Sequence, residues 1–137
     1  MNKGKIENER RQITILFGDV SGFTAISEKF DPEVVVKIIN DLMTLLSEQI
    51  YKYDGIVDKF MGDAIMAFYE GDPKQSCTNA IKSALEMQNI LKDRFFTNNE
   101  KILLRIGINT GDVVLGDIGS IESRRDYTCI GENVNKT

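Results

Sequence analysis

The chain has 137 residues, 42% of them apolar, with a formal net charge of −4 and no histidine. That is one domain's worth of chain, with enough apolar residues to build a core rather than stay disordered. An acidic balance without a basic run excludes a duplex-binding surface, and the absent histidine excludes imidazole acid–base catalysis, His-based triads and His-ligated zinc.

Residues 1–12 (MNKGKIENERRQ) are charged and polar and read as a linker or frayed start. They do not form a signal peptide. Ile13–Gly18 is a continuous apolar run, as expected of a strand buried on both faces, and it ends on Asp19. Val20-Ser21-Gly22-Phe23-Thr24 is small and flexible, and Ala25–Phe30 reads as a short helix. Asp31-Pro32-Glu33 opens a longer helix, with a capping carboxylate, proline in the first turn and an acid near the positive end. Val35, Ile38, Ile39, Leu42, Met43, Leu45, Leu46 and Ile50 recur at helical spacing, which carries this helix to about Lys52 with Gly55 just past its end.

Ile56–Met61 and Ala64–Tyr69 are apolar runs flanking Gly62-Asp63, the pattern of a β-hairpin. Alternation puts Lys59 on the face of Val57 and Met61. Asp72-Pro73 repeats the helix-start signal, and the second helix has Ala80, Ile81, Ala84, Met87, Ile90 and Leu91 as its apolar stripe. Phe95–Glu100 is a loop. Ile102–Asn109 and Asp112–Ile118 read as two strands joined at Thr110-Gly111 in a second hairpin, Arg124–Ile130 as a last strand, and Gly131–Thr137 as a turn entering a helix. No run is apolar for the roughly 18 residues that a membrane span needs. Cys77 and Cys129 lack metal-type spacing and read as free thiols of a reducing compartment.

The order β-α-β-β-α-β-β predicts an α+β fold: a ferredoxin-like (split βαβ) antiparallel sheet with helices on one face. In such a sheet the first strand neighbours the hairpin, so Asp19 and Asp63 can meet at one edge. Two carboxylates there repel unless a divalent cation joins them. Mg²⁺ commonly takes one or two carboxylates and leaves its other positions to water and substrate phosphates. The plainer alternative is an ordinary strand-end acid and an ordinary turn acid. Gly18–Thr24 (GDVSGFT) places Gly22 and free backbone N–H groups just before a helix, an anion seat. It is not a Walker loop, and neither is the terminal Asn-Lys-Thr.

The same residues resemble a known family. Phe17-Gly18-Asp19-Val20-Ser21-Gly22-Phe23-Thr24 resembles the FxDIxGFT signature of class III nucleotidyl cyclases, and Lys59-Phe60-Met61-Gly62-Asp63-Ala64 its KxxGDA. Ile106-Gly107-Ile108-Asn109-Thr110-Gly111 with Val114-Leu115-Gly116-Asp117-Ile118-Gly119 resembles its glycine-patterned strand region. Asp126-Tyr127-Thr128-Cys129-Ile130-Gly131 with Val134-Asn135 resembles its DYTxIGDxVN. The motifs stand in the family's order from about Gln12 onward.

The resemblance implies an adenylate cyclase domain that converts ATP to 3′,5′-cyclic AMP and pyrophosphate, working as a homodimer with sites at the interface. Asp19 and Asp63 match the aspartates that hold two Mg²⁺ or Mn²⁺ ions, with the Val20 carbonyl assisting. Gly22, Phe23 and Thr24 match the triphosphate-holding turn. Lys59 and Thr128 match the purine-reading pair and point to ATP, in the manner of the bicarbonate-responsive soluble subgroup. Asn135 matches the ribose-orienting asparagine. Glu132 departs from the usual aspartate. The family's transition-state arginine falls two positions past Thr137. The expectation is therefore a cyclase domain over 13–137 with its C-terminal part missing, impaired as it stands, and cytoplasmic with a parent that can be membrane-anchored. The rivals are a non-catalytic cyclase-like dimerisation or regulatory module, and a diguanylate cyclase, whose Gly-Gly-Asp-Glu-Phe turn is absent here.

Overall fold

The computed structural model describes residues 9–115, with side chains over 12–112. In chain order these form β1 (Glu9–Val20), α1 (Phe23–Lys29), α2 (Pro32–Lys52), β2 (Ile56–Met61), β3 (Ala64–Tyr69), α3 (Pro73–Asp93), a 3₁₀ turn (Thr97–Asn99) and β4 (Leu104–Leu115). The sheet order is β2-β3-β1-β4, with antiparallel neighbours throughout. β1 and β2 run parallel with β3 inserted between them, which is the split βαβ arrangement expected of the sequence.

Both Asp-Pro signals start helices, with proline in the first turn each time. Only the second aspartate caps through its side chain. Asp72 accepts from the Gln75 N–H at 3.2 Å, whereas Asp31 makes no such bond. A cap of this kind contributes about 1 kcal/mol. At the end of α2, Gly55 N–H donates to Ile50 O at 2.8 Å and Asp54 N–H to Tyr51 O at 3.1 Å, the paired bonds of a Schellman closure. The left-handed residue there is Asp54 (φ 65), not the glycine. Gly55 is needed for space: a Cβ on it would lie 2.5 Å from the Tyr69 ring and 2.7 Å from Ile50.

The main core lies between sheet and helices. Leu16, Val20, Ile65, Ala67, Tyr69 and Leu104 of the sheet meet Ile38, Leu42, Leu46 and Ile50 of α2, and Ala80, Met87 and Leu91 of α3. The opposite face of the sheet carries a second apolar cluster of Ile13, Ile15, Met66 and Phe68, with Phe17 and Met61 against it. The buried stripe of α3 differs from the expected one. It runs Ser76, Ala80, Ser83, Met87 and Leu91, while Ile81 is 44% exposed. The serines are tolerated because their hydroxyls are bonded. Ser76 Oγ meets Thr14 Oγ1 at 2.9 Å, and Ser83 Oγ donates to Asn79 O at 3.1 Å.

Three strand expectations are corrected. β1 begins at Glu9, inside the stretch read as a linker. β4 is one strand of 12 residues, with no turn at Thr110-Gly111. Its partner β1 is equally long, so pairing runs unbroken from Val20↔Leu104 to Glu9↔Leu115, and Thr110 and Gly111 face Thr14 and Ile13. The Thr14 and Thr110 hydroxyls meet at 2.7 Å across that pair. In β2 a register shift between Val57 and Lys59 breaks the alternation. Val57 turns to the helix side, while Lys59, opposite Met66, stays on the face of the second cluster with Met61. The readings of the last strand and final turn fall outside the described residues.

Candidate active site

The site forms where β1 ends. Asp19 is opposite Ala64 of β3 on one side and Arg105 of β4 on the other. Alternation from Ile13, Ile15 and Phe17 puts its side chain on the helix-free face of the sheet. One residue on, the Val20 N–H donates to the Asp63 carbonyl at 3.2 Å, and the Ser21 N–H to the Leu103 carbonyl at 2.8 Å. The end of β1 is thus pinned to the hairpin turn and to the start of β4. Asp63 closes the two-residue turn between β2 and β3, in which Gly62 supplies the positive φ (63) that a tight hairpin demands. The backbones of Asp19 and Asp63 thus lie side by side at this end of the sheet.

Gly22 caps α1 in the left-handed conformation (φ 73, ψ 28), a geometry that suits glycine. Phe23 packs against the main core, and the Thr24 carbonyl accepts from Ser27 Oγ at 2.9 Å. The first N–H groups of a helix have no partner within it, so this turn presents donors beside Asp19. Lys59 stands on β2 with its side chain 34% exposed and Nζ 3.8 Å from an Asp58 carboxylate oxygen. Thr128 and Asn135, the other two residues matched by the family motifs, lie outside the described residues.

Arg105 is the residue that the motifs did not single out. Its Nε donates to Asp19 Oδ1 at 3.1 Å and its Nη2 to Oδ2 at 3.0 Å, a fork across the strand pair. The signal was present in Leu104-Arg105-Ile106, where alternation turns the arginine away from the core. Its relevance needed the register with Asp19.

Among the described residues no three His, Cys, Asp or Glu side chains cluster to hold a metal ion. Two carboxylates with a carbonyl at their junction still suit Mg²⁺ or Mn²⁺, which takes hard oxygen donors and keeps positions for water and phosphate. The guanidinium on Asp19 shows that this carboxylate already draws a cation. The donor set therefore fits the group.

The sequence profile described as the adenylate and guanylate cyclase catalytic domain matches residues 6–137. An adenylate cyclase of Anabaena cylindrica is 37% identical over 134 residues, covering 91% of this chain and 26% of that protein. Adenylate cyclase 1 of Rhizobium meliloti is 32% identical, covering 92% and 20%. The chain thus spans about a quarter or less of these relatives. Among solved structures, the guanylyl cyclase Cya2 is 36% identical with a TM-score of 0.72, over 86% of this chain and 62% of that one. The adenylyl cyclase CyaB from P. aeruginosa is 25% identical with a TM-score of 0.75, over 95% and 74%. With the split βαβ sheet, the two acids at its edge and the glycine turn beside them, these matches show that the chain belongs to the family of adenylate and guanylate cyclase catalytic domains.

Proposed function

We propose that this domain converts ATP to 3′,5′-cyclic AMP and pyrophosphate as part of a homodimer. The observation that carries the reading is the junction of Asp19, at the end of β1, with Asp63, in the β2–β3 turn, tied through the Val20–Asp63 backbone bond. In this reading Asp19, Asp63 and the Val20 carbonyl hold Mg²⁺ or Mn²⁺, two ions to a site. Bound there, the ions supply positive charge beside the 3′-hydroxyl and the departing pyrophosphate. The backbone N–H groups of Gly22, Phe23 and Thr24 hold the triphosphate.

Lys59 donates to adenine N1, which accepts; guanine N1 carries a hydrogen and would face the lysine donor to donor. Thr128 joins Lys59 in reading the purine, and Asn135 orients the ribose. The 3′-oxygen forms a bond to the α-phosphorus as that phosphorus loses its bond to the pyrophosphate oxygen. With no histidine in the chain, the hydroxyl proton passes to Asp19 or to water. The relatives named as adenylate cyclases support the choice of ATP.

The test is to incubate a form of the protein extended past Thr137 through the family's transition-state arginine with Mn²⁺ and either ATP or GTP, and to resolve the cyclic nucleotides by chromatography. Cyclic AMP from ATP, lost in Asp63→Asn, is the expected result. Cyclic GMP alone would replace ATP with GTP. Neither product, from a dimer that fails to bind nucleotide, would leave a non-catalytic module.

A further inference from the structure

We infer that Arg105 is the resident counter-cation of Asp19, and that a divalent ion reaches this carboxylate only by displacing the arginine fork. The inference rests on reading Asp19 as a metal ligand. Both carboxylate oxygens are engaged, Oδ1 by Nε at 3.1 Å and Oδ2 by Nη2 at 3.0 Å. Those oxygens are the donors a metal would need. The two residues are cross-strand partners, so the backbone holds them side by side whatever the ligand state.

Their exposures differ in a way that fixes which one moves. The Asp19 side chain is 27% exposed and the Arg105 side chain 69%. The arginine can swing into solvent without disturbing the packing, while the aspartate stays at the strand end. The guanidinium carries a permanent charge, so each time this exposed pair opens a divalent ion competes with it for the same two oxygens.

The exchange has a physical purpose. An acid next to a second acid, with no cation between them, is a repulsive pair. Arg105 compensates Asp19 while the site waits, and one cation is traded for another on loading. The fork therefore sets the metal concentration at which the site fills, with no contact to the nucleotide required. A planar fork competes for two oxygens at once, whereas an ammonium group is a point charge that engages one. This difference separates direct competition from a mere field effect.

The experiment titrates Mn²⁺ into the full chain without nucleotide and follows free Mn²⁺ by electron paramagnetic resonance. Arg105→Gln, Arg105→Lys and Asp19→Asn are compared with the parent, each checked for native circular dichroism. The expected result is Mn²⁺ binding about two- to fivefold tighter in Arg105→Gln, the range measured for exposed ion pairs. Arg105→Lys falls between Arg105→Gln and the parent, and Asp19→Asn binds at least roughly tenfold more weakly. Arg105→Lys at the parent value means that only charge matters and overturns the fork. An unchanged Arg105→Gln overturns the inference while a weakened Asp19→Asn keeps the metal reading. Asp19→Asn binding as tightly as the parent overturns both.

Discussion

The Val20 N–H donates to the Asp63 carbonyl at 3.2 Å, so the backbone rather than any side chain fixes the hairpin turn beside the end of β1. The Asp63 carboxylate is free of that structural duty. Replacing it with an amide should remove one cation ligand and leave the turn standing. Asp63→Asn is expected to lower cyclic nucleotide formation by at least roughly 10²-fold, the scale of losing one transition-state electrostatic partner. Thermal unfolding followed by circular dichroism should change little. A steady rate near the parent value would remove Asp63 from the proposed machinery.

Gly55→Ala tests the packing of the hairpin on α2. The new methyl would sit 2.5 Å from Tyr69 Cε2 and 2.7 Å from Ile50, both in the core. Overfilling of this kind costs about 1–3 kcal/mol. Urea unfolding should show that loss as a lower midpoint with an unchanged slope.

Tyr69 predicts an alkaline weakness. Among the described residues its hydroxyl is buried without a well-formed hydrogen bond, and burial pushes its pKa from 10.0 up to about 12, with a weak interaction with Ser83 offsetting part of that rise. The folded protein holds the phenolic proton more tightly than the unfolded chain does. That stabilisation is whole below pH 10 and is lost as the pH climbs through 12. Its scale is roughly 2–3 kcal/mol for a shift of about two units. Tyr69→Phe should remove most of this decline. By deleting an unsatisfied buried hydroxyl, it should also raise stability at neutral pH by about 1 kcal/mol. Urea midpoints taken across pH 7–11 read both effects.

The tie between α2 and α3 predicts a change on the acid side. The Tyr53 hydroxyl donates to Glu86 Oε1 at 2.8 Å, with Lys52 Nζ at 3.4 Å. The tyrosine bond first, and the lysine second, hold the Glu86 pKa below its usual 4.5. Stability from this tie is present above pH 4.5 and fades as the pH falls through the lowered value. Glu86→Gln should flatten that part of the stability–pH curve and leave the neutral plateau nearly unchanged, as expected of an exposed pair. A curve of unchanged steepness would deny Glu86 the role.

The helices were legible because their ends are written locally, in Asp31-Pro32 and Asp72-Pro73. Strand lengths were not, because a strand runs as far as its partner does. Ile13 looked like the first paired residue until β4 proved long enough to reach Glu9. Thr110-Gly111 looked like a turn for the same reason. Asp19 is legible as a strand-end acid and Asp63 as a turn acid. Alternation does put Lys59 with Met61, but the register shift in β2 turns Val57 to the other face. Ser76 and Ser83 carry no core signal in the sequence, because a bonded hydroxyl can stand in a core where hydropathy predicts an apolar group. Arg105 could be found only from register, which pairs residues 86 positions apart.

That separation also bears on how the protein is made. β1 is central in the sheet, yet it leaves the ribosome before its sheet neighbours, and its β4 partner follows 86 residues behind at the Asp19 position. At bacterial to eukaryotic synthesis speeds of about 5–20 residues per second, one side of β1 waits roughly 4–17 s for its neighbour. During that interval the apolar stretch from Ile13 to Phe17 is an open strand edge. The nascent chain is then most exposed to mispairing with another copy, and most in need of a chaperone.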